Sequence, residues 1–317
     1  MHNPYGKSET SAIPSRQKII ILQGPTCVGK TGVAISLARA VSAEIINADS
    51  MQFYRHMDIG TSKPTLPERS ELPHHLFSVV NPDENFNAAR FMNEARRLIA
   101  DIASRGRVPL VVGGTGLYVR SLTKGLSSAP AADERLRHEL TSLGKEKLFR
   151  ELQAVDPESA QRISPNDMVR IVRALEVFRV TREPLSQHNQ RHGFQDQPYD
   201  SLKFCLTRPR DELYTLIEAR TKRMLEEGLV EEVETLFSLG YGPKLRPLQS
   251  IGYNQIALYL DGKLSRADAV SQIQRETRRF AKRQLTWLRH DTDNIWVELP
   301  AGESDIEHFA KKFLNLD

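Results

Sequence analysis

Lys18-Ile-Ile-Ile-Leu-Gln-Gly-Pro-Thr-Cys-Val-Gly-Lys-Thr31 sets the architecture. Lys18 to Gln23 is a short apolar run ending at glycine, the mark of a strand buried on both faces. Gly24 to Thr31 then matches Gly-x-x-x-x-Gly-Lys-[Ser/Thr] at every position. Gly32 to Val41 follows with helical spacing at Val33, Leu37, Ala40 and Val41. Strand, glycine loop and helix in that order mark a phosphate-binding loop rather than a chance turn. Gly24, Pro25, Thr26, Cys27, Val28, Gly29, Lys30 and Thr31 are the expected grip on a di- or triphosphate. The glycines let backbone N–H groups turn inward, and the next helix presents its positive end. Lys30 adds a point charge, and the Thr31 hydroxyl is placed for Mg2+.

Outward from this loop, Glu44 to Asp49 reads as a second strand with a polar end. Phe91 to Arg105 is an amphipathic helix, Val108 to Val112 a third strand, and Gly113-Gly-Thr-Gly116 opens another helix. Such alternation predicts an α/β fold, a P-loop NTPase-like parallel sheet flanked by helices. From about Gly125 strand-like runs stop and charged helical segments take over at Asp133–Leu140, Lys147–Ala154 and Asn166–Val180. Residues 126–204 are therefore expected to be an inserted all-helical domain, and 18–125 with 205–317 the core. Within this stretch the polar, proline-containing segment 183–200 reads as a loop. Leu202–Leu206 and Ile295–Leu299 read as further strands, and Met1–Gln17 as a flexible tail.

Bulk composition is that of an ordinary globular chain: 39% hydrophobic and 26% charged over 317 residues. No apolar run approaches the roughly 20 residues of a transmembrane helix. The N-terminus lacks a signal-type stretch. Cys27 and Cys205 are the two cysteines, too few for a disulfide framework. No membrane partner and a reducing, cytoplasmic setting are expected. Net charge is +4 and pI about 9.0, a pointer to an anionic partner.

One component of a nucleotide hydrolase is missing. The strand that should end in a metal-binding acid runs instead into Gly113-Gly-Thr115. The acid at the end of a core strand is Asp49, beside Ser50. An ATPase, GTPase or small kinase needs more than this.

Further motifs are Asn47-Ala-Asp-Ser-Met-Gln-Phe-Tyr-Arg55, Met57-Asp-Ile-Gly-Thr-Ser-Lys-Pro64 and Pro73-His-His-Leu76. Val112-Gly-Gly-Thr-Gly-Leu-Tyr118, Ser164-Pro-Asn-Asp167 and Arg170-Ile-Val-Arg-Ala-Leu-Glu-Val177 follow. Ile251-Gly-Tyr253 and Thr277-Arg-Arg-Phe-Ala-Lys-Arg-Gln-Leu-Thr-Trp-Leu-Arg289 complete the set. In type and order these motifs, spanning residues 18 to 296, resemble the tRNA dimethylallyltransferases, the IPP transferase family. The resemblance implies transfer of a dimethylallyl group from dimethylallyl diphosphate to N6 of adenosine 37 in tRNA. It implies that the loop holds the donor's diphosphate, with Mg2+ as cofactor, rather than ATP. Asp49 resembles the family's general base, since an exocyclic adenine amine needs its proton removed as the C–N bond forms. Arg220 matches its diphosphate-binding arginine; from the residues alone it is a solvated helical cation. Thr115 matches a threonine near the transferred group and equally suits a helix N-cap.

The family's tRNA contacts fall on Asp49, Ser50, Met51, Gln52, Thr115 and Arg137. They continue on Val169, Arg170, Ile171, Val172 and Arg173, and on Gln249, Ser250, Ile251, Gly252, Tyr253 and Asn254. This chain departs from the common pattern at Gln249 (arginine is usual), Ser164 (histidine) and Cys27 (alanine or serine). Its end at Asp317 carries no Cys-x-x-Cys, as in the bacterial form, and a monomer is expected. Independently, Arg275, Arg278, Arg279, Lys282, Arg283 and Arg289 crowd a helix whose one acid in that run is Glu276. On it Ile273, Thr277, Ala281, Leu285 and Leu288 form an apolar stripe. Arg278, Arg279 and Lys282 are expected on RNA phosphates. Two other readings stay open here: a free adenine nucleotide as acceptor, and an NTP-dependent RNA switch or kinase.

Overall fold

A computed structural model describes residues 16–316. The expected tail falls largely outside them, but Gln17 already belongs to the first strand. In chain order come β1 (Gln17–Gln23), α1 (Lys30–Ala40), β2 (Ala43–Asn47), α2 (Leu66–Glu71), β3 (His74–His75), α3 (Ala88–Ser104), β4 (Val108–Gly113) and α4 (Gly116–Lys124). A helical run follows: α5 (Glu134–Ser142), α6 (Lys145–Val155), α7 (Pro157–Arg162), α8 (Met168–Thr181) and α9 (Leu185–His192). The chain returns with β5 (Tyr199–Thr207), α10 (Arg210–Glu226), α11 (Leu229–Ser238), α12 (Tyr253–Leu260), α13 (Arg266–Leu288), β6 (Asn294–Glu298) and α14 (Glu303–Leu314).

The sheet has six strands in the order β3-β2-β4-β1-β5-β6, and every pairing is parallel. Ile19, Ile20, Ile21 and Leu22 of β1 are fully buried, each worth roughly 1.5–3 kcal/mol of burial. Their alternation divides the core. Ile19 and Ile21 pack with Phe91 and Ile99 of α3 and with Val233 of α11. Ile20 and Leu22 pack with Val33 and Leu37 of α1, Ile217 of α10 and Ile306 of α14. Both faces are covered, as a parallel sheet requires. After β1 the chain moves to β2 on one side, and only later places β5 on the other. The strand order therefore reverses at β1, and a crevice opens at the carboxyl ends of the strands. No helix of the described residues is long and apolar enough to cross a membrane.

The chain divides into two compact units, with residues 123–197 forming the second. Leu140, Leu148, Leu152, Ile171 and Leu175 make its core. Asp133, Asp156 and Asp167 each accept a backbone N–H to cap α5, α7 and α8. Two expectations differ from what is seen. The segment 183–200 holds α9, whose buried positions Ser186 and His188 are polar, so no apolar period betrayed it. And residues 199–204 lie in β5 of the sheet, so the helical stretch ends before them.

Buried charge organises the second unit. The Glu176 side chain is fully buried and accepts from Arg137 at 2.9 and 3.1 Å, Arg173 at 2.6 Å and the Asp133 N–H at 2.7 Å. Burial alone would raise its pKa, but these donors hold it below the ordinary carboxylate value. Glu176→Ala would leave two guanidinium groups without their partner, an expected loss of about 3–5 kcal/mol. A urea titration followed by circular dichroism measures it.

Candidate active site

The loops after β1 and β2, the end of β4 and one face of α10 enclose a cavity of about 290 Å3. The expected diphosphate grip lies in its wall: Thr26, Cys27, Gly29, Lys30 and Thr31 all line it. Gly29, with φ 108°, takes a backbone conformation that side chains rarely adopt. Lys30 turns its ammonium into the loop and donates to Gly24 O at 3.0 Å and Pro25 O at 2.8 Å. Burial lowers its pKa to about 8, with Asp49 opposing and Arg220 adding to the fall.

Arg220, on α10, enters from the far side of the loop. Its Nη1 donates to Thr26 Oγ1 and, at 3.4 Å, to Cys27 Sγ. Its Nε is buried without a partner. A buried unpaired donor is costly, so an anion's oxygen is its natural complement. The solvated-cation reading of Arg220 is thus corrected: the side chain belongs to the cavity.

Asp49 lines the same cavity, just past β2. Its Oδ1 accepts from Met51 N at 3.0 Å, and its own N–H donates to Asn47 Oδ1 at 2.9 Å. The next residue, Ser50, donates its N–H to Thr115 Oγ1 at 3.0 Å. Thr115 is therefore a strut under the Asp49 turn and is not part of the cavity wall. A Cβ at Gly113 would come within 2.3 Å of the Ala48 backbone. That close approach brings the ends of β2 and β4 together and explains why β4 ends in glycine rather than an acid.

Several wall residues carried no assigned role in the sequence. His74 lines the cavity, and its Nδ1 meets Leu72 O at 2.7 Å. Burial holds the ring pKa below its ordinary value. Nδ1 then carries the proton and the buried, unpaired Nε2 is an acceptor. The loop from Met57 to Pro64 supplies Thr61, Ser62 and Pro64. Glu232 of α11 fixes it by accepting the N–H groups of Asp58, Ile59 and Gly60 at 2.8–3.1 Å. The Lys63 ammonium, wholly buried, donates to Tyr54 O, Asp58 Oδ1 and Ser78 Oγ. Gln52 donates to Thr61 O and Ser62 O, both at 3.1 Å. A motif of small and polar residues gave no hint of these long-range partners.

The expected RNA contacts separate into open and closed positions. Val169 is 76% exposed, and Arg170 is exposed beside Asp167. Ile171 and Val172 are buried in the second unit's core, so their side chains are withdrawn from any RNA. Arg137 and Arg173 are held by Glu176. Gln249 is exposed, Ser250 bonds Pro247 O, and the Gly252 N–H bonds Gln255; Ile251 and Asn254 are half-buried. Tyr253 is 1% exposed and donates to Glu232 Oε1 at 2.6 Å, so it is a core strut instead of an RNA contact. On α13 the buried positions are Ala269, Ile273, Ala281, Gln284 and Leu288. Thr277 and Leu285 of the expected stripe are half-buried. Arg275, Arg279, Lys282 and Arg289 lie exposed. Arg278 instead pairs with Glu218 at 2.9 Å and covers the Tyr214 ring.

Comparison with known proteins places these features in context. The IPP transferase family model matches residues 52–291, and an isopentenyl transferase model matches residues 17–74. A tRNA dimethylallyltransferase of Geobacter sulfurreducens is 49% identical over 94% of this chain and 97% of its own. The full-length tRNA isopentenylpyrophosphate transferase of Bacillus halodurans superposes with TM-score 0.71 at 37% identity, covering 95% of this chain and 97% of that one. A eukaryotic dimethylallyltransferase solved acting on tRNA gives TM-score 0.76 at 28% identity, over 89% of this chain and 74% of that one.

Proposed function

The chain belongs to the IPP transferase family, and from that premise we propose that it moves a dimethylallyl group from dimethylallyl diphosphate to N6 of adenosine 37 in tRNA. The observation that carries this reading is one cavity holding both a phosphate loop and Asp49, with no acid at the end of β4. N6 attacks C1 of the dimethylallyl group, the C1–O bond breaks, and diphosphate leaves. Asp49 takes the proton from N6 as the new bond forms. Lys30, Arg220 and the N–H groups at the start of α1 meet the charge that builds on the leaving oxygens. His74 Nε2 offers a further acceptor in the wall.

Mg2+ fits the donors present. Thr31 offers a hard hydroxyl oxygen, and no group of three His, Cys, Asp or Glu among the described residues could hold a metal. Mg2+ is commonly held by one or two protein oxygens plus substrate phosphates. When bound it neutralises diphosphate charge. Adenosine 37 must leave its stack to reach Asp49, with Ser50, Met51 and Gln52 at the entrance. The helical unit 123–197 holds the anticodon stem-loop through Val169 and Arg170, and α13 meets phosphates through Arg279 and Lys282. On this reading the working unit is a monomer, acting in the cytoplasm where tRNA is processed.

Incubation with labelled dimethylallyl diphosphate, Mg2+ and either unmodified tRNA or AMP tests the reading. Label in tRNA is expected; label in AMP and none in tRNA would overturn it. Two further results are expected. A donor bound beside Lys30 raises its pKa, so binding takes up a proton above about pH 8. Donor affinity then falls about tenfold per unit above that pH, measured by calorimetry without tRNA; a flat profile to pH 10 contradicts it. Arg279→Ala with Lys282→Ala should lower the slope of log affinity for tRNA against log salt by about 1.4–1.8. An unchanged slope would mean that these cations are only solvated.

A further inference from the structure

Building on the transferase reading, we propose that Gln284 is a positioning residue that sets the distance between the diphosphate grip and the base. It sits on α13, 7% exposed, and reaches between the loops that follow β1 and β4. Its Oε1 accepts from Thr26 N at 2.9 Å. Its Nε2 donates to Gly114 O at 2.9 Å. These partners force the amide's orientation, because one is a donor and the other an acceptor.

The two bonds close a continuous chain across the site. On one side Thr26 accepts from Arg220 through its hydroxyl. On the other, Gly114 leads to Thr115, whose Oγ1 accepts from Ser50 N, the residue after Asp49. One amide therefore joins the leaving-group side to the proton-accepting side. The fit is tight: a Cβ at Gly114 would lie 2.4 Å from Gln284 Nε2. The chemistry also needs this residue type. Glutamate would set a carboxylate oxygen against Gly114 O, and methionine would leave both loop groups unpaired. In-line transfer is sensitive to such spacing, since a misplacement of about 1 Å costs on the order of 100-fold in rate.

Gln284→Met and Gln284→Glu test the assignment, at a temperature where melting curves show each fully folded. The wild-type enzyme run in parallel with tRNA checks the transferase reading separately: if it transfers nothing, that reading fails, whatever the variants do. With wild-type transfer established, Gln284→Met is expected to lower kcat about 10- to 100-fold, with KM for donor and tRNA held within about threefold. Gln284→Glu retains the acceptor for Thr26 N but sets an oxygen against Gly114 O, so kcat should fall here too with KM held. A near wild-type kcat in either folded variant, or a loss confined to KM, would overturn the proposal.

Discussion

Asp49→Asn is expected to keep tRNA and donor binding while lowering the rate of prenyl transfer by about 10²- to 10⁴-fold, the usual worth of a positioned general base. Asparagine is the more informative change than alanine. Asp49 Oδ1 accepts from Met51 N, and an asparagine oxygen retains that bond while losing basicity. Asp49→Ala removes both, although the backbone N–H bonds of residues 49 and 50 to Asn47 and Thr115 remain. If the asparagine variant is slow and the alanine variant little slower, proton removal is the main contribution. If only alanine is slow, Asp49 shapes the turn and does not act as base. Single-turnover transfer with pre-bound tRNA, alongside an independent tRNA binding measurement, makes the distinction. Near wild-type transfer by Asp49→Asn refutes the base assignment.

Arg220→Ala is expected to lower turnover by about 10²- to 10³-fold, the scale measured for removing one preorganised donor to developing oxyanion charge. Donor affinity should weaken too, because the guanidinium faces the diphosphate before and during bond cleavage. Arg220→Lys should recover little. An ammonium is a compact point charge, whereas the fork of Arg220 both holds Thr26 Oγ1 and keeps a buried, unpaired Nε–H beside it. A lysine variant with near wild-type kcat would show that charge alone suffices and that the fork is incidental.

Part of this site was legible along the chain because its parts are local. Gly24 to Thr31 is contiguous, and its grip follows from backbone geometry next to one strand and one helix. Asp49 stood out as the acid at a strand end, and the exposed cations of α13 followed from helical spacing. Other residues escaped for reasons particular to each. Gln284 looked like one polar residue on a helix, because its partners lie in loops far away in sequence. Tyr253, Ile171 and Val172 sat inside motifs matching tRNA contacts, yet they are buried, and burial belongs to the packed fold. Arg137 and Arg173 had the charge for RNA, but Glu176, an acid on a half-apolar helix, claims both. The helix at Leu185–His192 was missed because its buried face is polar.

The order of residues thus specified which chemistries were on hand: a phosphate grip, a strand-end carboxylate, a helix of cations. Their assembly depended on the strand order β2-β4-β1-β5, which sets the loops after β1, β2 and β4 side by side. Gly113 lets β4 come against the Ala48 backbone, and Gln284 ties that edge to Thr26. Hydrogen bonds between strands distant along the chain choose neighbours by packing and register, which no local spacing encodes. For that reason the phosphate loop could be read directly, while its partnership with Asp49 and Arg220 in one cavity rests on the folded sheet.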